Sequence, residues 1–237
     1  MRGLYAIVDV GALAARGLDA AAFTRAVLEA RPCAVQVRAK ELPTREFLAL
    51  LRSLAPLCRA QGIPLVANDR VDLAVLTGCD YVHLGQEDLP IEQARRIAPT
   101  LKVGLSTHTL VELDRALAAR PAYVAYGPVF PTGSKAQPDP CVGIEGLRVA
   151  YARATSARIP LVAIGGITLD RARDVAAFAN SVAVIGALLS PLSRLSPLSA
   201  GAVGDTQSAG DMLAQAASRA ERLQAALASS VPGEACS

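Results

Sequence analysis

Aromatic side chains are scarce in this chain, which has no tryptophan, four phenylalanines and five tyrosines among 237 residues. Runs of basic residues are missing too, and the formal charge is only +3. Nucleic acid is recognised by a basic patch with stacking side chains among it, so neither absence favours such a partner. No apolar run approaches the roughly 20 residues that span a bilayer. The opening Met1-Arg2-Gly3-Leu4-Tyr5 enters a strand pattern directly and has no signal-peptide design. Cys33, Cys58, Cys79, Cys141 and Cys236 are odd in number and hold no Cys-x-x-Cys pair, which points to neither a disulfide framework nor a zinc site. The expectation is a cytoplasmic protein with reduced, mostly buried thiols, no nucleic-acid partner and no membrane contact. Oligomeric state leaves no mark in the sequence.

What the chain does have is an alternation repeated eight times. Short β-branched runs at 4–8, 34–38, 64–67, 81–84, 102–105, 123–126, 160–164 and 181–185 are each followed by an Ala/Leu/Arg-rich segment of helical period. The clearest predicted helix covers 44–61, with Thr44 as its N-cap, Pro56 as a bend and Gly62-Ile63-Pro64 as its stop. Eight such units in a chain this long fit an α/β fold of the (β/α)8 TIM-barrel type, a single domain, better than an open doubly wound sheet. The expected layout is a barrel core over 1–190, a flexible Ser/Leu/Gly/Pro-rich insertion over 191–210, a closing helix of the same domain over 211–228 and a disordered tail over 229–237.

The two ends of these strands differ in chemistry. Ordinary residues precede them, while those that follow are reactive or glycine-rich, and loops after barrel strands form the active face. The second strand delivers Gln36, Arg38 and Lys40, which alternate and so share one face. The third and fourth deliver Asn68, Asp69, Gln86 and Asp88, the fifth Ser106 and His108. From the long sixth loop come Thr132, Ser134 and Lys135, and the seventh and eighth strands end in Gly165-Gly166 and Gly186.

Asp69 and Asp88 end neighbouring parallel strands, so both open on one end of the sheet. Mg²⁺ is commonly held by one or two carboxylates plus substrate phosphates. The alternative is that each aspartate caps the helix after it. Arg38 and Lys40 near the mouth need an anion, which is either a diphosphate or the rim acids Glu41 and Glu46. The hydroxyls and cation of the sixth loop suit phosphate oxygens, or meet only water in a surface excursion. The bare backbone of the Gly-Gly turn and of Gly186 suits a second phosphate, a common arrangement after barrel strands seven and eight, although such a pair also serves simply as a tight turn. His83 reads as a packed core residue.

Six motifs then coincide: Gln36-Val37-Arg38-Ala39-Lys40, Asn68-Asp69-Arg70-Val71-Asp72, Val82-His83-Leu84-Gly85-Gln86-Glu87-Asp88, Gly104-Leu105-Ser106-Thr107-His108, Gly127-Pro128-Val129-Phe130-Pro131-Thr132-Gly133-Ser134-Lys135 and Ala163-Ile164-Gly165-Gly166-Ile167. In that order and on those strands, they make the chain resemble the thiamine-phosphate synthase family over residues 4–188. The resemblance implies an enzyme, a transferase of thiamine biosynthesis that joins hydroxymethylpyrimidine diphosphate to hydroxyethylthiazole phosphate and releases pyrophosphate. It implies Mg²⁺ as cofactor, held by Asp69 and Asp88, and small phosphorylated molecules as partners. Gln36, Val37, Arg38, Ala39, Lys40, Asn68, Ser106 and Lys135 would bind the pyrimidine diphosphate, with Arg38, Lys40, Ser106 and Lys135 as the catalytic set. Thr132, Gly133, Ser134, Gly166, Ile185 and Gly186 would hold the thiazole phosphate. Dissociative departure of pyrophosphate leaves a carbocation captured by the thiazole nitrogen, so cations are needed and a strong base is not.

This chain departs from the family in having Ala39 where glutamate is usual, Gly186 where a hydroxyl is common, and Phe178-Ala179-Asn180 in place of a Gly-Ala-Asp-Gly turn. The alternative function is that of the related thiazole tautomerases, which share the barrel and use a histidine at the position of His108. A Schiff-base role for Lys40 or Lys135 is the alternative from another reaction class.

Overall fold

In the computed structural model, which describes residues 1–132, 139–189 and 207–229, every expected strand is present. The strands are β1 (Gly3–Asp9), β2 (Ala34–Arg38), β3 (Leu65–Asn68), β4 (Tyr81–Leu84), β5 (Lys102–Thr107), β6 (Tyr123–Tyr126), β7 (Leu161–Ile164) and β8 (Ser181–Val184). They close in sequence order into an all-parallel barrel, in which β8 returns to pair with β1. Two helices, α1 (Val10–Ala14) and α2 (Ala20–Leu28), follow β1. One helix follows each of the next six strands: α3 (Thr44–Ala60), α4 (Val71–Thr77), α5 (Ile91–Ile97), α6 (Leu110–Ala118), α7 (Gly143–Ser156) and α8 (Leu169–Ala176). A 3₁₀ turn at Gly186–Leu188 leads toward α9 (Ala209–Ala228), which packs between α8 and α2 and completes the outer ring. The chain is thus a (β/α)8 barrel.

The period of two along each strand divides the core in two layers. Leu4, Ala6 and Val8 of β1 point outward against helices, as do Val35 and Val37 of β2 and Leu65 and Ala67 of β3. Tyr5, Ile7, Ala34, Val66, Tyr123, Ala125, Val162 and Ala183 fill the barrel interior. Gly104 on β5 sits beside Tyr123 in the register, and a Cβ there would fall 2.0 Å from the tyrosine Cζ. Glycine at that position is what lets a large ring lie across the barrel.

Several boundaries depart from expectation for physical reasons. Thr44 is not the N-cap of α3; Pro43 holds that place without a side-chain bond, and the Thr44 hydroxyl accepts from Arg70. The helix runs on through Pro56. β5 extends two residues further than its apolar run, so Ser106 lies on the strand itself. The last helix starts at Ala209, because Ser208 and Asp211 form a capping box ahead of it. The expected insertion over 191–210 and tail over 229–237 lie almost wholly outside the described residues. Cys33, Cys58, Cys79 and Cys141 are free thiols, of which Cys58 and Cys79 are buried. Among the described residues no helix is long and apolar enough to cross a membrane.

Candidate active site

All eight strands point the same way, so the loops that follow them meet at one mouth. Asp69 directly follows β3, where its backbone N–H donates to His83 O at 2.8 Å and its φ is +66°. That left-handed conformation is rare outside glycine, and the short polar side chain of aspartate tolerates it best. It places the carboxyl close enough to Asp88 for that neighbour to help raise its pKa. Asp88 itself closes the turn after β4 by accepting from Gly85 N at 2.6 Å.

Neither acid caps a helix. The N-caps of α4 and α5 are Arg70 and Pro90, with no side-chain cap bond at either. Burial first, then the hydrogen bond and charge of Asp88, push the Asp69 carboxyl up to about 6, with Lys40 and Arg38 acting in the opposite direction. Two close carboxyls that disfavour each other's charge make an oxygen-only donor pair, suited to a hard divalent ion. No group of three or more His, Cys, Asp or Glu able to hold a metal occurs among the described residues, so any ion here would take its remaining ligands from water and substrate.

The raised carboxyl has a consequence for stability. An unfolded aspartate titrates near ~3.9, so from there up to about 6 the native state binds the extra proton and loses stability as pH rises. Asp69→Asn removes this penalty. Its Lys40 partner, 3.8 Å away and more than half exposed, contributes little in return. In EDTA the variant is expected to melt above the unmodified chain at pH 7, with the gap closing below about pH 4. Thermal scans across that range check it, and equal melting at pH 7 would contradict the strained acid pair.

Arg38 at the end of β2 and Lys40 just beyond it find acids other than the rim glutamates considered from sequence. Arg38 pairs with Asp9 at 2.5 Å, and Lys40 with Asp69. Asp9 ends β1 and also accepts from Ala12 N at the start of α1, so a helix cap pins the carboxylate that holds Arg38. Gln36 is buried and donates to Asn68 Oδ1 at 2.8 Å, which joins the amides of β2 and β3. The Val37 side chain faces the outer core, and Ala39 is buried in the same layer, so only their backbones are candidates for substrate contact. Ser106 Oγ lies 2.7 Å from His83 Nε2, and its carbonyl accepts from Gln86 Nε2. His83 is buried and hydrogen-bonded at both nitrogens, as a packed core residue. His108 donates from Nδ1 to Gly127 O at 2.6 Å, which ties the start of the sixth loop to β5.

On the opposite rim the Gly165-Gly166 turn takes φ values of +97° and +64°. A Cβ on Gly165 would come 2.5 Å from Pro128 Cα, and one on Gly166 2.5 Å from Pro131 O. The glycines are therefore required by the sixth loop, which lies across them through Val129 N to Ile164 O and Phe130 N to Gly165 O. Arg171 of α8 stacks on the Phe130 ring at 4.4 Å and donates to Gly166 O. Thr132 stands at the described edge of that loop; Gly133, Ser134 and Lys135 lie outside the described residues. Ile185 is partly buried, and Gly186 opens the 3₁₀ turn with no atom of the described residues within 4 Å of where a Cβ would stand. Asp9, Tyr5 and Tyr123 received no role from the sequence, which placed Gln86 at the mouth. Only Asp9 left a signal, an acid closing a strand next to the one that ends in arginine.

Comparison with known proteins gives a concordant result. The model of the family described as thiamine monophosphate synthase matches residues 4–188. A thiamine-phosphate synthase of Anaeromyxobacter dehalogenans is 44% identical over 188 residues, 79% of this chain and 78% of that protein. One from Albidiferax ferrireducens is 42% identical over 187 residues, 78% of this chain and 83% of that one. The solved thiamine phosphate pyrophosphorylase of Pyrococcus furiosus superposes with a TM-score of 0.77 at 31% identity, covering 97% of this chain and 96% of its own. The chain belongs to the thiamine monophosphate synthase family and is an enzyme of the transferase class.

Proposed function

We propose that the barrel mouth joins hydroxymethylpyrimidine diphosphate to the nitrogen of hydroxyethylthiazole phosphate through these residues, giving thiamine phosphate and pyrophosphate. The observation that carries the reading is the pair Asp69 and Asp88, two close acids beside Arg38 and Lys40. Asp69 and Asp88 would hold Mg²⁺. When bound, that ion supplies positive charge to the departing pyrophosphate. Arg38 and Lys40, with Lys135 from the sixth loop, add fixed charge around the same group, and charge-assisted hydrogen bonds of this kind are worth roughly 1.5–3 kcal/mol each. Asn68 offers amide N–H groups to the diphosphate, and Gln36 fixes the Asn68 amide. Backbone N–H groups near Gly166 and Gly186, with Thr132, Gly133 and Ser134, hold the thiazole phosphate in line, so that its ring nitrogen meets the cationic carbon as the bond to oxygen breaks.

Incubation of the full chain with both phosphorylated substrates and Mg²⁺ is expected to release pyrophosphate, and EDTA is expected to abolish it. His108→Ala is expected to keep turnover within about tenfold of the unmodified chain, since the His108 imidazole ties two loops together and the synthase reaction asks no base of it. Loss of all turnover in His108→Ala, with isomerisation of a thiazole phosphate carboxylate by the unmodified chain, would instead favour the tautomerase.

A further inference from the structure

A buried hydrogen-bond chain crosses the barrel beneath the mouth, and its middle members take no part in the reaction as derived above. From β3 to β5 it runs Asn68, Gln36, Tyr5, Tyr123, His83 and Ser106, with successive contacts of 2.8, 2.7, 2.8, 2.9 and 2.7 Å. Its ends are residues assigned to the pyrimidine diphosphate substrate, whereas Tyr5, Tyr123 and His83 are buried below it. The Tyr123 ring stacks on His83 with centroids 5.6 Å apart, in the space left by Gly104.

The direction of every bond follows from proton counting. Gln36 Nε2 donates to Asn68 Oδ1, so Gln36 Oε1 accepts the single hydroxyl proton of Tyr5. The Tyr5 oxygen then accepts from Tyr123, whose own proton is committed there. Tyr123 must in turn accept from His83, which places hydrogen on Nδ1. With that hydrogen on Nδ1, the buried imidazole leaves Nε2 as an acceptor for the Ser106 hydroxyl.

We propose that Tyr5, Tyr123 and His83 are positioning residues that carry this direction across the barrel. They keep Asn68 with its amide N–H groups toward the diphosphate, and Ser106 with its proton turned inward to His83, so that its oxygen is left to accept from a donor group on the pyrimidine part of the substrate. Reversing the chain would turn the Asn68 carbonyl toward an anion. The proposal rests on the reading of Asn68 and Ser106 as residues that bind the pyrimidine diphosphate substrate, but its central test needs no substrate.

The chain has two histidines, so ¹⁵N-histidine labelling with His108→Ala for assignment isolates the His83 signals. At pH 7 the expected spectrum is that of the Nδ1–H tautomer. In Tyr5→Phe, three strands away, the Tyr123 proton loses its acceptor and turns to His83 Nδ1, because a buried hydroxyl proton is costly to leave unpaired. His83 should therefore convert to Nε2–H, and KM for the pyrimidine diphosphate should rise about tenfold with a smaller change in kcat. A residue that merely packs would leave the tautomer alone. An Nε2–H tautomer in the unmodified chain, or an unchanged tautomer in Tyr5→Phe, overturns the proposal. Should Tyr5→Phe fail to fold, Tyr123→Phe removes the acceptor of His83 Nδ1 itself, so His83 should again convert to Nε2–H, and an unchanged tautomer there overturns the proposal equally. A chain that lacks synthase turnover yet shows the tautomer switch would sink the functional reading and leave the hydrogen-bond chain intact.

Discussion

Asp88→Ala is expected to lower kcat/KM for pyrimidine diphosphate by about 10²–10³ or more, as removing one preorganised group that stabilises developing negative charge does elsewhere. Asp69→Ala should fall as far. Both acids lie at the ends of adjacent strands and face each other, so neither can hold a cation well alone. A helix-capping role predicts the opposite pattern, a loss of about 1 kcal/mol of stability with turnover kept. Stability separates the two. Asp69→Ala removes a half-buried acid whose ionisation is unfavourable, so the metal-free variant should melt no lower than the unmodified chain at pH 7. Asp88→Ala also gives up the bond from Gly85 N, at a cost of roughly 1 kcal/mol. Steady-state pyrophosphate release at saturating Mg²⁺, measured beside thermal scans in EDTA, checks both halves. Turnover within tenfold of the unmodified chain in either variant would remove the metal pair from the mechanism.

The barrel was legible in the sequence because each strand is a short run of β-branched residues buried on both faces, and the helices between them bury one stripe each. The mouth was legible because its residues stand at strand ends: Arg38, Asn68, Asp69, Asp88 and Gly165-Gly166 are where topology alone would put them. What escaped is the set of partners fixed only in three dimensions. Glu41 and Glu46 are sequence neighbours of Arg38, yet Asp9, about thirty positions away, faces it across the β1–β2 pair. Tyr5 and Tyr123 each look like ordinary buried aromatics, and only closure of the barrel brings their hydroxyls to 2.8 Å. The Gly-Gly turn admits two readings from sequence, a phosphate cradle or a tight turn. Its glycines are demanded first by Pro128 and Pro131 of the sixth loop, a close approach that strand order does not reveal.

That approach yields the largest expected loss of stability. In Gly127→Ala the new Cβ would fall 2.0 Å from the Ile164 carbonyl oxygen and 3.1 Å from Ile164 Cγ2. The oxygen cannot step aside, because it also accepts from Val129 N at 2.9 Å and so holds the sixth loop to β7. Relief requires β6 and β7 to part at the mouth. Overpacking against a side chain costs about 1–3 kcal/mol, and against fixed backbone the cost should reach or exceed the upper end. In a domain of this size that lowers Tm by roughly 6–12 °C. Gly186→Ala is the control: with no atom of the described residues within 4 Å of the added Cβ, its Tm should stay within about 2 °C of the unmodified chain. Parallel thermal scans of the two variants check this. If Gly127→Ala melted with Gly186→Ala, the seam that presses the sixth loop onto the glycine turn would not exist in solution, and the thiazole-phosphate side of the mouth would lose its support.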